Sequence, residues 1–378
     1  MAVMVFFSMY SRLLLSPLLV YIQEDLAIGP AQATRFFLPL SLAYSGAMLT
    51  SGFLAERIGH RRTIATSGFT IGLGLIQIAL ATSVPHMYIA FGIIGVGAGL
   101  YPPSGVTSVT ELVQSGIRGK AIAIHEVGPN GAYVVAPLVV AAAVVVAPWR
   151  VVPAVSGIMA IVFAITFDRV SVAGGFRGQR PQLRSLAEIL KKPEFWALTA
   201  FFSLAASSTM GVFTILPTFL VNSEGYNPGT INTLISLSRL SGVGMIFAAG
   251  YLVDRIGVRP LIGAVMAVTG ALTLLIGVTR GGAMLAVVFL QPVVITAFFP
   301  PAISAIADLG PPNVRNVAVS VMIPAVNLVA GGVFPVLMGY LTERGVVRGG
   351  FVALGAVMLL ALAMLPMLKR DAAPPPAR

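Results

Sequence analysis

Two arginines stand where an apolar chain tolerates them least. Arg12 lies inside the apolar run over residues 2–22 and Arg239 inside the run over residues 231–249. At helical rise Arg12 is about 18 Å from Glu24 at the end of its run, and Arg239 about 22 Å from Asp254. A guanidinium is permanently charged, and its planar fork matches carboxylate, sulfonate or phosphate. A third apolar run carries Glu126 beside His125, a pair able to bind and release a proton. Glu126 has a second reading, as a lasting ion-pair partner of Arg12 or Arg239. One carboxylate cannot balance two arginines, so the arrangement points to an anionic ligand. The competing reading is an arginine satisfied by helix carbonyls and water, as a brace.

Neutral polar groups within the apolar runs are Tyr10, Tyr44, Tyr101, Asn130, Tyr133, Asn232, Gln291 and Asn327. They are candidates to line a substrate cavity or, equally, to hydrogen-bond one helix to another. There is no cysteine, which removes disulfides, thiolate metal sites and thiol nucleophiles. No nucleophile–base constellation or metal-ligand cluster is visible, so neither an enzyme nor a cofactor or metal is expected. Gly95-Val-Gly97 matches a fragment of a dinucleotide fingerprint, but it falls within an apolar run and follows no strand.

The elements that carry these residues follow from composition. The 378 residues are 57% hydrophobic and 10% charged, with a mean hydropathy of +0.93. A soluble domain carries about a quarter charged residues. Twelve runs are each long enough for the roughly 20 residues that a spanning helix needs. The expected class is an all-α integral membrane protein of twelve transmembrane helices. Of the 24 Lys and Arg residues, seventeen fall in the termini and loops of one face, five on the other, and two inside helices. This positive-inside bias places both termini in the cytoplasm and accounts for the net charge of +11 without a nucleic-acid partner. The first run has no charged n-region or cleavage site, so it is expected to be a retained helix.

The chain repeats itself. Gly52-Phe-Leu-Ala-Glu56-Arg57-Ile-Gly59-His-Arg61-Arg62 returns as Gly250-Tyr-Leu-Val-Asp254-Arg255-Ile-Gly257-Val-Arg259, 198 positions later. Tyr101-Pro102-Pro103 returns as Phe299-Pro300-Pro301 at the same offset, and Glu111 returns as Asp308 at 197. Six helices separate equivalent points, so the halves share one orientation, and a site is expected at their midplane. The expected organisation is a six-helix bundle over 1–166, a cytoplasmic loop with a short amphipathic helix over 167–193, a second bundle over 194–368, and a disordered tail over 369–378.

With these repeats in place, the chain resembles the major facilitator superfamily along essentially its whole length. That family's loop 2–3 motif reads G-x-L-(A/V)-D-R-x-G-R-(R/K). The first copy departs from it at Glu56 and His60, and the second keeps Asp254 and Arg255. The resemblance implies two parallel six-helix repeats and an alternating-access carrier. It also implies a cytoplasmic gate built on Gly52, Glu56, Arg57, Arg61, Gly250, Asp254 and Arg255, with Arg57 and Arg255 latching onto Glu111 and Asp308. Drug exporters of the family carry G-P-x-x-G-G late in helix 5. Here that place reads Ala136-Pro137-Leu-Val-Val, and helix 1 has no embedded acid to bind a cationic drug.

The expected protein is therefore a monomeric inner-membrane carrier that moves a small organic anion, coupled to protons. Arg12 and Arg239 are its ligands, and Glu126 with His125 its proton-coupling pair. The alternative is an exporter of hydrophobic or zwitterionic compounds.

Overall fold

The computed structural model describes residues 1–113, 118–171, 188–307, 309 and 312–368, and these form twelve helical rods with no strand among the described residues. They are α1 (Ala2–Leu26), α2 (30–58), α3 (His60–Leu80), α4 (Val84–Leu112), α5 (Arg118–Ala143) and α6 (Val151–Val170). The second set is α7 (Pro193–Ser223), α8 (Pro228–Ile256), α9 (Val258–Val278), α10 (281–307), α11 (312–343) and α12 (Val347–Met367). The twelve runs expected from sequence are thus twelve helices. Hydrocarbon supplies no partner for backbone N–H or C=O groups, so a spanning segment must close its hydrogen bonds within itself. Large aliphatic side chains such as Ile124, Val127 and Ile303 face outward, as lipid-facing positions do. The amphipathic helix expected within 167–193 and the tail over 369–378 fall largely or wholly outside the described residues.

Helix ends reuse the same device in each half. Gly59 (φ 83°) separates α2 from α3, and Gly257 (φ 89°) separates α8 from α9, 198 positions on. A left-handed residue also follows α1 and α7, as Ala27 (φ 51°) and Gly225 (φ 75°).

The repeat is equally plain in the packing. Gly72 of α3 and Gly157 of α6 meet backbone to backbone, so that a Cβ on either would strike the other's carbonyl. Gly270 of α9 and Gly355 of α12, each 198 further along, meet in the same way. Small residues at such crossings let backbones close to dispersion contact where no hydrophobic effect drives association. Just beyond each crossing an arginine caps a helix end. Arg150 Nη1 donates to the carbonyls of Ala79 (3.1 Å) and Ala81 (2.7 Å). Arg348 Nη1 donates to Gly277 (3.3 Å) and Thr279 (2.7 Å), all three positions again displaced by 198. A cation at a helix C-terminus meets the orphan carbonyls and the negative end of the dipole together. The halves differ in one respect: Arg150 also forms an ion pair with Asp25, at the end of α1.

Contacts sort the chain into two compact units, Met1–Pro181 with Thr214–Ser236, and Gln182–Phe213 with Leu237–Arg378. The second part of α7 and the first part of α8 thus group with the N-terminal helices. Three hydrogen bonds hold them there. Ser16 Oγ donates to Thr214 O (3.1 Å), Asn222 Nδ2 to Gln23 Oε1 (3.0 Å) and Ser236 Oγ to Val134 O (3.0 Å). The sequence repeat divides the chain by descent and the contacts divide it by packing, so the two divisions need not coincide.

Two measurements follow from the shared crossing and brace. Gly355→Val should destabilise the protein by about 1–3 kcal/mol through overpacking, read as a lowered thermal-unfolding midpoint in detergent. Gly92→Ala, at a position with open space around it, should leave the midpoint unchanged or slightly raised. Arg150→Ala should cost about 1–3 kcal/mol by leaving two carbonyls without their donor, measured in the same way.

Candidate functional site

Arg12 sits on the first segment of α1, 7% exposed. Its guanidinium lies over the ring of Tyr44 from α2, 4.4 Å from the centroid, while Nε donates to Ser8 O at 3.4 Å and Nη2 contacts Met9 Sδ at 3.2 Å. A cation over an aromatic face keeps an electrostatic partner after water is removed. The structure therefore joins two residues that the sequence marked separately, Arg12 and Tyr44.

Tyr10 goes elsewhere. Its hydroxyl meets Ser156 Oγ of α6 at 3.1 Å and its ring stacks on Phe6, so it ties α1 to α6. Two residues of helix turn the chain by about 200°, which sends the side chains of Tyr10 and Arg12 in nearly opposite directions.

Arg239 of α8 is 6% exposed. Its Nη2 donates to Thr209 O at 2.8 Å, and its guanidinium lies 5.4 Å from the Phe213 ring centroid. Thr209 belongs to a π-helical turn, Ser207–Gly211, in the middle of α7. Wide turns of this kind take carbonyls out of the α-helical ladder, and they concentrate at functional positions. Here two consecutive carbonyls find side-chain donors. Arg239 serves Thr209 O, and Gln291 Nε2 of α10 serves Ser208 O at 2.8 Å. Ser208 Oγ in turn meets Thr273 Oγ1 of α9 at 3.1 Å. Gln291 is thereby placed in a brace of α7, α9 and α10. Sequence reasoning passed over Ser208, Thr209 and Thr273, although the run Ser207-Ser208-Thr209 inside an apolar helix is a visible signal.

The expected proton pair is joined, with an added member. His125 Nδ1 lies 3.2 Å from Glu126 Oε1, and His125 Nε2 lies 2.9 Å from the hydroxyl of Tyr101 on α4. The imidazole and phenol rings are stacked at 5.9 Å. His125 and Tyr101 are buried, whereas the Glu126 side chain is 54% exposed. Of the two readings of Glu126, the described contacts give it His125 as its partner. Asn130 Nδ2 caps the backbone carbonyl of Glu126 within α5, and Tyr133 is half-buried on the same helix. Asn232 and Asn327 are buried on α8 and α11.

At the helix ends that carry the repeated motif and its expected partners, Gly52 and Glu56 are half-buried, while Arg57, Glu111, Gly250, Asp254 and Arg255 are exposed. Among the described residues no ion pair joins Arg57 to Glu111. Arg61 instead pairs with Asp168 at the end of α6, at 3.5 Å. Arg255 lies over the Tyr251 ring at 4.7 Å, and Asp308 is outside the described residues. The motif charges stand at helix ends, and Arg61 takes Asp168, outside the motif, as its partner.

Comparison with known proteins agrees with this architecture. The chain is similar to a probable sulfoacetate transporter, SauU, of Cupriavidus necator, 24% identical over 98% of this chain and 94% of that one. It is also similar to the hexuronate transporter of Escherichia coli K12, 23% identical over 68% of this chain and 65% of that one. Among solved structures, the fold matches a bacterial homologue of the human lysosomal transporter Spinster, with a TM-score of 0.79 and 14% identity over 98% of this chain and 97% of that one. It matches the nucleoside transporter NupG with a TM-score of 0.80 and 13% identity over 97% and 98%. The family model for the Major Facilitator Superfamily matches residues 1–249 and 225–378, hence the whole chain. This protein is accordingly a multi-pass membrane transporter rather than an enzyme, and it belongs to the Major Facilitator Superfamily.

Proposed function

We propose that this transporter moves a small organic anion, of carboxylate or sulfonate type, across a bacterial inner membrane by alternating access. Both termini lie in the cytoplasm, and transport is coupled to protons through Glu126 and His125. The observation that carries the reading is the pair of arginines, Arg12 and Arg239, both more than nine-tenths buried far from the ends of spanning helices. A cation at that depth costs roughly 2.5–3.5 kcal/mol even on the lenient insertion scale, so its retention needs a function. A guanidinium has five N–H donors, so an anchor on Thr209 O or Ser8 O is compatible with gripping an anion. Tyr44 supports Arg12 by fixing its guanidinium over an aromatic face, which limits the entropy lost on binding. The names of several relatives, transporters of sulfoacetate, hexuronate and galacturonate, support an organic acid as cargo.

Thermal unfolding in the presence of mono- and dicarboxylates, sulfonates and lipophilic cations tests the reading. One class of anion should raise the midpoint, and Arg12→Gln or Arg239→Gln should weaken its apparent affinity about tenfold to a hundredfold, the loss of a charge-assisted hydrogen bond. Arg239→Lys should not restore binding, because a point charge lacks the fork. Stabilisation by lipophilic cations alone, unchanged in these variants, would instead favour the export of hydrophobic compounds.

Proton coupling has its own readout. In proteoliposomes an inward acid step should accelerate anion uptake by the native protein, and Glu126→Gln should abolish that acceleration.

A further inference from the structure

The hydroxyl of Tyr101 has one proton and two neighbours. It lies 2.9 Å from His125 Nε2 and 3.3 Å from the backbone carbonyl of Met1, the residue that opens α1. A carbonyl only accepts, whereas an imidazole nitrogen donates or accepts according to its proton. Tyr101 therefore has two self-consistent arrangements. If the His125–Glu126 pair lacks the extra proton, Nδ1–H faces the Glu126 carboxylate and bare Nε2 accepts the Tyr101 proton. If the pair holds it, Nε2–H donates to Tyr101 and the tyrosine proton turns to Met1 O. The two arrangements differ by one proton, gained from solvent and bound at Nε2 while Nδ1–H keeps its place against Glu126, and no bond between heavy atoms changes.

We infer that Tyr101 is not a substrate contact but the positioning residue of proton coupling, whose hydroxyl reports the charge of the His125–Glu126 pair to the first turn of α1. This deepens the proposed function and rests on it for its role in transport. Two arrangements of a buried hydroxyl suit a switch because both neighbours are fixed. The Tyr101 ring is 1% exposed and stacked on the imidazole, so the hydroxyl proton turns while the ring stays. Met1 O also accepts from the Met4 and Val5 amides, which makes it part of the first helical turn, and the tyrosine links that turn to α4. Eleven residues along the same helix stands Arg12. A proton on α5 is thereby connected to the helix that presents the proposed anion ligand.

Among the described residues Tyr101, Glu126 and the first turn of α1 face the imidazole, and the half-buried α-amino group of Met1 belongs to the residue whose carbonyl Tyr101 meets. On α5 itself Lys120 lies about 8 Å along the axis from His125. On the helices packed against α5, Arg12 is about 16 Å along α1 from Met1 and Glu111 about 15 Å along α4 from Tyr101. Asp25 and Asp168 are occupied by Arg150 and Arg61.

The test uses the histidine inventory, which is three residues. In a His60→Asn, His86→Asn double variant, His125 is the one histidine, and ¹⁵N resonances of its ring report both nitrogens directly. In a pH titration Nε2 should change from acceptor to N–H as pH falls. The ¹³Cζ resonance of Tyr101, assigned by its loss in Tyr101→Phe, should move with the same midpoint. Adding Tyr101→Phe should shift the His125 midpoint. In proteoliposomes Tyr101→Phe should lose the acceleration of uptake by an acid step, a loss that weaker packing alone does not produce. A His125 ring that keeps one state throughout, or a Tyr101 signal indifferent to its change, overturns the inference, whether or not anion transport is found. Failure of every anion to bind the native protein, with the coupled titration intact, would overturn the proposed cargo and leave the switch standing.

Discussion

Hydrocarbon forms no hydrogen bonds, and the rest of this structure answers to that constraint. The twelve rods carry most of their backbone bonds within themselves, and several places where the α-helical ladder is broken are met by side chains. The carbonyls at the ends of α3 and α9 are met by Arg150 and Arg348. Those of the π turn in α7 are met by Gln291 and Arg239. Both buried arginines thus carry a structural duty alongside any duty to a ligand.

That double duty bears on how the carrier works. Arg239 holds the carbonyl of Thr209 in a turn that interrupts α7, and the chain changes compact unit just beyond it, between Phe213 and Thr214. Binding an anion at Arg239 would bias a segment whose hydrogen bonding is already irregular. Arg12 is arranged differently, against the face of Tyr44 and the carbonyl of its own helix. The two arginines are alike in chemistry and burial but not in support, since they occupy unrelated positions of the repeat.

The hydrogen bonds from Ser16 to Thr214, from Asn222 to Gln23 and from Ser236 to Val134 are all uncharged. Each contributes about 0.5–1.5 kcal/mol net. An ion pair of the same geometry in low dielectric would be harder to part.

The sequence by itself determined a great deal: twelve helices, from run length against bilayer thickness; two parallel halves, from blocks at a constant offset; and the depth of Arg12 and Arg239, from helical rise. These are local or periodic properties, and lipid makes them decisive because every segment meets the same solvent. It also placed Glu126 beside His125, which needs only adjacency. Tertiary structure alone decided the partners. Nothing in the order of residues says that Tyr44 rather than Tyr10 would lie under Arg12, that Asp168 rather than Glu111 would pair with an arginine of the motif, or that Tyr101 would meet His125. Which face of a helix meets which neighbour depends on crossings such as Gly72–Gly157, where two backbones touch. A crossing fixes rotation about the helix axis, and rotation by 100° per residue chooses one side chain of a run over the next.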